Sequence, residues 1–194
     1  MVNIPLELKN LNIIIGKEPY KNPMFICKTT KLKNTACGTF YNNFDTVAFV
    51  VSSSKRFKHS FENIINLLYY KRDINIRNKY IKITQNSNWI KFINDLYVEE
   101  KIVFINANEL DSKYKKAILN SANSILMCGV DAKNKVNRIL DSSNQSKAFY
   151  AIHPSPINNG DARYTDDWVF IKTKAGFSSD GKKYLHSLKG NFMI

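Results

Sequence analysis

Short apolar runs along the chain alternate with segments whose apolar residues recur every three to four positions. The runs are LNIII (11–15), TVAFVV (46–51), KIVFIN (101–106), SILMCG (124–129) and KAFYAI (147–152), most of them rich in β-branched or aromatic residues. Runs of this length and composition predict buried strands. Between them, SFENIINLLYYKR (60–72) places Phe61, Ile64, Ile65 and Leu68 on one face behind Ser60 and Glu62, the pattern of an amphipathic helix. NSNWIKFINDLY (86–97) does the same with Trp89, Ile90, Phe92, Ile93, Leu96 and Tyr97. DSKYKKAILNSAN (111–123) starts on Asp111, a residue suited to capping a helix, and DAKNKVNRIL (131–140) is a fourth, shorter helical segment. Strands alternating with helices predict an α/β fold, here one three-layer α/β/α domain over 1–194 with a mostly parallel sheet. Residues 22–45 are the least regular stretch, and a loop of that length in a compact domain is often functional or mobile.

Composition narrows the partners. Lys and Arg number 29 against 16 Asp and Glu, a net charge of +13. Such an excess attracts polyanions, nucleic acid above all, although a lysine-rich soluble surface is the plainer account. No basic tail is present, so a DNA-binding surface has to be assembled by the fold. The apolar runs are far too short to span a bilayer, and MVNIPLELKN lacks the basic-then-apolar pattern of a secretion signal. Three widely spaced cysteines, Cys27, Cys37 and Cys128, form neither a disulfide framework nor a four-thiolate metal site. These features point to an intracellular protein in a reducing compartment.

Chemistry gathers where the runs stop. The first ends in Gly16-Lys17-Glu18-Pro19-Tyr20, the third in Asn106, and the last in His153-Pro154-Ser155-Pro156. In an open parallel sheet ligands bind beyond the carboxyl ends of the strands. Parallel strands would therefore bring Glu18, Asn106 and His153 to one edge, a carboxylate, an amide and an imidazole suited to acid–base or electrostatic chemistry. Taken singly, Glu18 also reads as a solvated surface acid, Asn106 as a cap on the next loop, and His153 as a satisfied loop histidine.

The ordered set resembles the family 1 uracil-DNA glycosylases. GKEPY after an apolar strand is similar to that family's GQDPYH loop, and AIHPSP after a late strand is similar to its HPSP loop. Between them, AFVVSSSKRFKHSFENI (48–64) resembles the phenylalanine strand, phosphate-contacting serine loop and helix start. VFINA (103–107) resembles the LLLNA strand end, and ILMCGVDAK (125–133) the LLWGSYAQ strand-to-helix turn. The resemblance runs from residue 11 to about 157.

The resemblance implies a metal- and cofactor-independent glycosylase acting on uracil flipped out of DNA, single- or double-stranded. Glu18 takes the place of the water-positioning aspartate, and His153 donates to uracil O2 as negative charge builds there. Lys17, Tyr20, Phe49 and Asn106 fall on the uracil pocket: Tyr20 excludes the thymine methyl, Phe49 stacks on the base, and Asn106 pairs with its polar edge. Phe40 competes for the stacking role, and Phe49 is preferred because the match after it runs ungapped. Ser60, Pro154, Ser155 and Pro156 hold the DNA backbone, Ile157 is the wedge that fills the vacated stack, and Arg163 adds phosphate attraction along with Lys55, Arg56 and Lys58. A monomer is expected, with a protein inhibitor or replication partner as a further partner class and no membrane.

The chain also departs from the family pattern. Lys17 and Glu18 replace a glutamine and an aspartate, Lys21 replaces a histidine, and the glutamate is one methylene longer than the acid it replaces. KRFKHS replaces a proline run, and residues 22–45 read as an insertion. These departures keep open a second function, a glycosylase-fold DNA-binding protein weakened or inactive in catalysis, serving a replication or repair assembly. A nucleotide or small-molecule binder is a third, opposed by the absence of GxGxxG and GxxxxGK[ST] patterns.

Overall fold

The computed structural model describes residues 2–17, 28–50, 61, 64–65, 74–85, 88–151 and 154. Within them, four strands form one sheet: β1 (Asn12–Gly16), β2 (Ile102–Asn106), β3 (Ser124–Cys128) and β4 (Ala148–Ala151). The order is β2-β1-β3-β4, and every pairing is parallel. Every residue of β1, β2 and β3 is buried. This explains why these strands read as unbroken apolar runs rather than alternating ones: both sheet faces are covered. The fold is α/β, as the alternation of patterns predicts.

The helices are α1 (Gly38–Tyr41), α2 (Ile74–Gln85), α3 (Trp89–Glu100), α4 (Lys113–Asn120) and α5 (Val130–Asn137). In α3, Trp89, Phe92, Ile93 and Leu96 are buried and the helix packs on β2, with Asn88 as N-cap accepting from the Lys91 N–H. It ends on Lys101 in the left-handed conformation and leads directly into β2. α5 packs on β3, and α2 packs on α3. Phe61, Ile64 and Ile65 are helical and buried, and Phe61 lies edge-on to both Phe92 and Phe104. The rest of the expected 60–72 helix falls outside the described residues. Among the described residues no helix is long and apolar enough to cross a membrane.

Four expectations need correction. Residues 46–50 of TVAFVV do not form a strand: Thr46 makes an antiparallel bridge to Lys28, and Ala48-Phe49 is a turn. The N–H groups of Asp45 and Thr46 donate to the Glu109 carboxylate instead of a ladder, and Phe49 has φ 63°, which ends any extended run. Second, the part of 22–45 that is described, from Lys28 onward, packs against the core. Leu32, Cys37, Phe40, Tyr41 and Phe44 are all buried, with the Phe40 ring stacked on Phe44 and edge-on to Tyr41. Third, α4 is capped by Ser112, whose side chain accepts from the Lys115 N–H, and not by Asp111. Fourth, residues 74–85, which the sequence pattern leaves unassigned, form α2, and among its described side chains Tyr80, Ile81 and Ile83 pack on the core.

Tyr41 also finishes an edge. Its hydroxyl accepts the Phe104 N–H at 2.9 Å, on the side of β2 that faces away from β1. Burial pushes the Tyr41 phenol well above its ordinary range, against the lowering effect of that bond.

Candidate active site

The strand order places the carboxyl end of β1 at the point where the chain's connections diverge, β2 to one side and β3 to the other. In open α/β sheets that crevice is where ligands bind. Gly16 pairs in register with Asn106, so the GKEPY loop leaves the sheet directly beside that amide. Ala151, two residues before His153, pairs with Cys128. β1 and β4 are two strand spacings apart, about 10 Å. All four strands point to this edge, so the parallel arrangement from which convergence was inferred is present.

Of the expected site residues, Lys17, Phe49, Asn106 and Pro154 are described. Glu18, Tyr20, Ser60, His153, Ser155, Pro156, Ile157 and Arg163, with Lys55, Arg56 and Lys58, lie outside the described residues. Lys17 reaches across the β1/β3 crevice to Asp131 in the first turn of α5, at 3.2 Å, with both side chains largely exposed. An ion pair so exposed contributes at most about 1 kcal/mol. The Lys17 carbonyl accepts the Asn108 N–H at 3.2 Å, which fastens the start of the GKEPY loop to the turn after β2. Pro154 is buried.

Phe49 lies over the end of β1. A methyl group on Gly16 would come within 3.0 Å of Phe49 Cζ and 3.3 Å of Ala48 Cβ, so the absence of a side chain at 16 is what lets the ring settle there. Phe40, the competitor for the stacking role, sits in the aromatic cluster with Tyr41 and Phe44, fully buried. Segment 46–50 thus crosses the carboxyl ends of two strands, with Phe49 against Gly16 and Thr46 against Asn106.

Asn106 is 2% exposed. It precedes the short 3-10 turn Ala107–Glu109 but does not cap it with its side chain, so the capping account does not explain this residue. Its Nδ2 donates to Thr46 Oγ1 at 2.8 Å. The Thr46 hydroxyl in turn lies against Glu109 Oε1, and Glu109 also accepts the Asp45 N–H at 2.7 Å and the Thr46 N–H at 3.1 Å. Among the described residues no donor meets Asn106 Oδ1. Buried polar atoms nearly always have a partner, and one that does not calls for an explanation such as a ligand.

Sequence reasoning missed Thr46 and Glu109. Glu109 stands three residues after Asn106 in the same turn, the one local hint, but nothing local ties either residue to Thr46, 60 or more positions away. Among the described residues no three His, Cys, Asp or Glu side chains cluster as a metal site would require. An open groove lined by Lys113, Lys116, Asn120 and Asp141 holds none of the expected site residues. The chain matches no family model and no curated protein.

Proposed function

We propose that the protein is a uracil-DNA glycosylase, hydrolysing the bond between uracil and deoxyribose once the base is flipped out of DNA. One observation carries the reading beyond sequence resemblance. A buried amide stands at the carboxyl edge of the sheet, beside the GKEPY strand, with its carbonyl oxygen unmatched among the described residues. Uracil presents the complementary edge: N3–H for Oδ1 and O4 for the remaining Nδ2 proton. Phe49 at the neighbouring strand end supports the same reading. So does the +13 charge, which favours a polyanionic substrate. The glycosylase-like three-layer arrangement is part of this proposal.

In this mechanism the C1′–N1 bond breaks with its electron pair going to the base, and negative charge develops on O2. His153, neutral, donates a hydrogen bond to that oxygen, and the Glu18 carboxylate favours the sugar cation and orients the water that adds to C1′. The water's proton passes to Glu18 or to solvent, the uracil anion takes up a proton from solvent, and free uracil and an abasic sugar result. Glu18 being a methylene longer than aspartate, its oxygen reaches the water from farther back in the loop. Misplacement of about 1 Å in such a site costs ~100-fold in rate, so a modest turnover is expected.

The test is uracil release from a uracil-containing oligonucleotide in the presence of a chelator. No release from single- or double-stranded substrate at high enzyme sinks the proposal. Glu18→Gln and His153→Ala should each slow release by about two to three orders of magnitude while sparing DNA affinity. A DNA-binding module without catalysis is the second reading, favoured by Lys17, which stands at the family's glutamine position and pairs with Asp131. Salt-sensitive DNA binding without base release would select it.

A further inference from the structure

We infer that Thr46 and Glu109 are positioning residues that lock the Asn106 amide in one orientation and so set the choice of uracil over cytosine. The inference rests on the uracil reading of the site and adds the residues that make it selective. The Glu109 carboxylate holds the 45–46 backbone by accepting two N–H groups, one on each oxygen, and its Oε1 also meets the Thr46 hydroxyl. A carboxylate only accepts hydrogen bonds, and a hydroxyl has one proton to give. That proton goes to Glu109, which leaves Thr46 Oγ1 with lone pairs alone for its other neighbour. The group 2.8 Å away on Asn106 must therefore be the NH2, with Oδ1 turned away from Thr46. The relay runs from amide to hydroxyl to carboxylate, and each donor has one destination.

The orientation decides the base. With Nδ2 held by Thr46, Oδ1 and the second Nδ2 proton remain, an acceptor beside a donor. Uracil offers N3–H and O4, which match both. Cytosine offers a bare N3 and an exocyclic NH2, which oppose both. An amide turned over by 180° would instead match cytosine and reject uracil. To turn over, it would need a proton from Thr46, which Thr46 can supply only by leaving Glu109. The carboxylate thus acts on specificity from two bonds away, without touching the base.

The test compares uracil and cytosine release, as kcat/KM on oligonucleotides carrying one such base, for the wild-type chain, Thr46→Val, Thr46→Ser and Glu109→Gln. Valine matches threonine in shape but supplies no oxygen, so the uracil-to-cytosine ratio should fall roughly 10- to 100-fold, the factor that one charge-assisted hydrogen bond supplies. Serine should restore the ratio, and Glu109→Gln should lower it in the same direction. If Thr46→Val does not fold, Glu109→Gln decides. A loss of uracil release with no gain in relative cytosine release at high enzyme would overturn the inference, because a merely structural role lowers both alike. The lock is also read without catalysis, from water exchange of the Asn106 side-chain protons in 15N spectra. Slow exchange in wild type and Thr46→Ser with fast exchange in Thr46→Val supports it; equal exchange in all three overturns it. A wild-type chain that releases no uracil but keeps this exchange pattern refutes the glycosylase reading and leaves the relay standing.

Discussion

Two buried asparagines occupy opposite ends of adjacent strands, and their side chains are used differently. Asn12 opens β1 at the amino edge of the sheet. Its Oδ1 accepts from Asn123 Nδ2 at 2.9 Å and Ser124 Oγ at 2.8 Å, and its Nδ2 donates to the Glu100 carbonyl at 3.0 Å. One amide thereby ties β1 to the start of β3 and to the end of α3. Asn106 closes β2 at the carboxyl edge, and among the described residues its side chain makes a single hydrogen bond, to Thr46. The residue type, depth of burial and sheet are the same, so chemistry alone does not account for the difference. The amino edge uses its polar capacity to join elements, while the carboxyl edge keeps some in reserve, as expected where an α/β sheet binds ligands.

Exchanging each asparagine for alanine is the sharpest way to break that contrast. Asn106→Ala should reduce uracil release ~100- to 1,000-fold, the range for losing one preorganised polar partner, and shift unfolding in urea by no more than about 1 kcal/mol. Asn12→Ala should do the reverse. It removes the acceptor of the buried Ser124 hydroxyl and the side-chain donor to the Glu100 carbonyl, so stability should fall by about 2–4 kcal/mol, with kcat/KM per folded molecule unchanged. Equal stability losses in the two variants would erase the distinction.

A smaller effect probes the carboxyl edge from the apolar side. Gly16→Ala places a methyl 3.0 Å from the Phe49 ring, which has to give way by a few tenths of an ångström. Uracil release should fall about tenfold, since small displacements in such sites are amplified in rate. Steady-state kinetics on a uracil oligonucleotide check this, and unchanged rates would remove Phe49 from the pocket.

The smallest effect is alkaline. Cys128, the last residue of β3, is buried, and burial pushes its thiol far above the ordinary thiol range. The folded chain therefore holds that proton more tightly than the unfolded chain does. The resulting stability is complete below the unfolded value near 9 and is lost as pH rises above it, by about 1.4 kcal/mol per pH unit. Thermal unfolding followed from pH 8 to 10 should show a shallower decline in Cys128→Ala than in wild type. Tyr41 contributes in the same direction from about pH 10 upward.

Much of the architecture is legible in the sequence because local pattern and tertiary role agree there. IVFIN and SILMC are apolar except for Asn106 and Ser124 at their ends because both faces of their strands are covered, and the NWIKFINDLY stripe is the buried face of α3. Asp111 and Ser112 are both good caps, and local preference could not choose between them. TVAFVV fails for a different reason. Its β-branched residues favour a strand, but Glu109, more than 60 residues away, takes the N–H groups a ladder would need. Convergence of the strand ends on one edge follows from parallel order and was readable. The Thr46–Glu109 relay was not, because it is a long-range hydrogen-bond pattern with no period to reveal it.

The backbone of Phe49 limits which sequences this site can explore. A left-handed φ of 63° costs an ordinary side chain about 1–2 kcal/mol and glycine almost nothing. The ring is 5% exposed, and losing a buried phenylalanine side chain costs about 3–5 kcal/mol, more than that strain, so the aromatic residue stabilises the fold on balance. Phe49→Gly would be the rare step that relaxes the main chain while emptying the pocket. The ring packed above Gly16 thus offsets the strain of the turn that places it there.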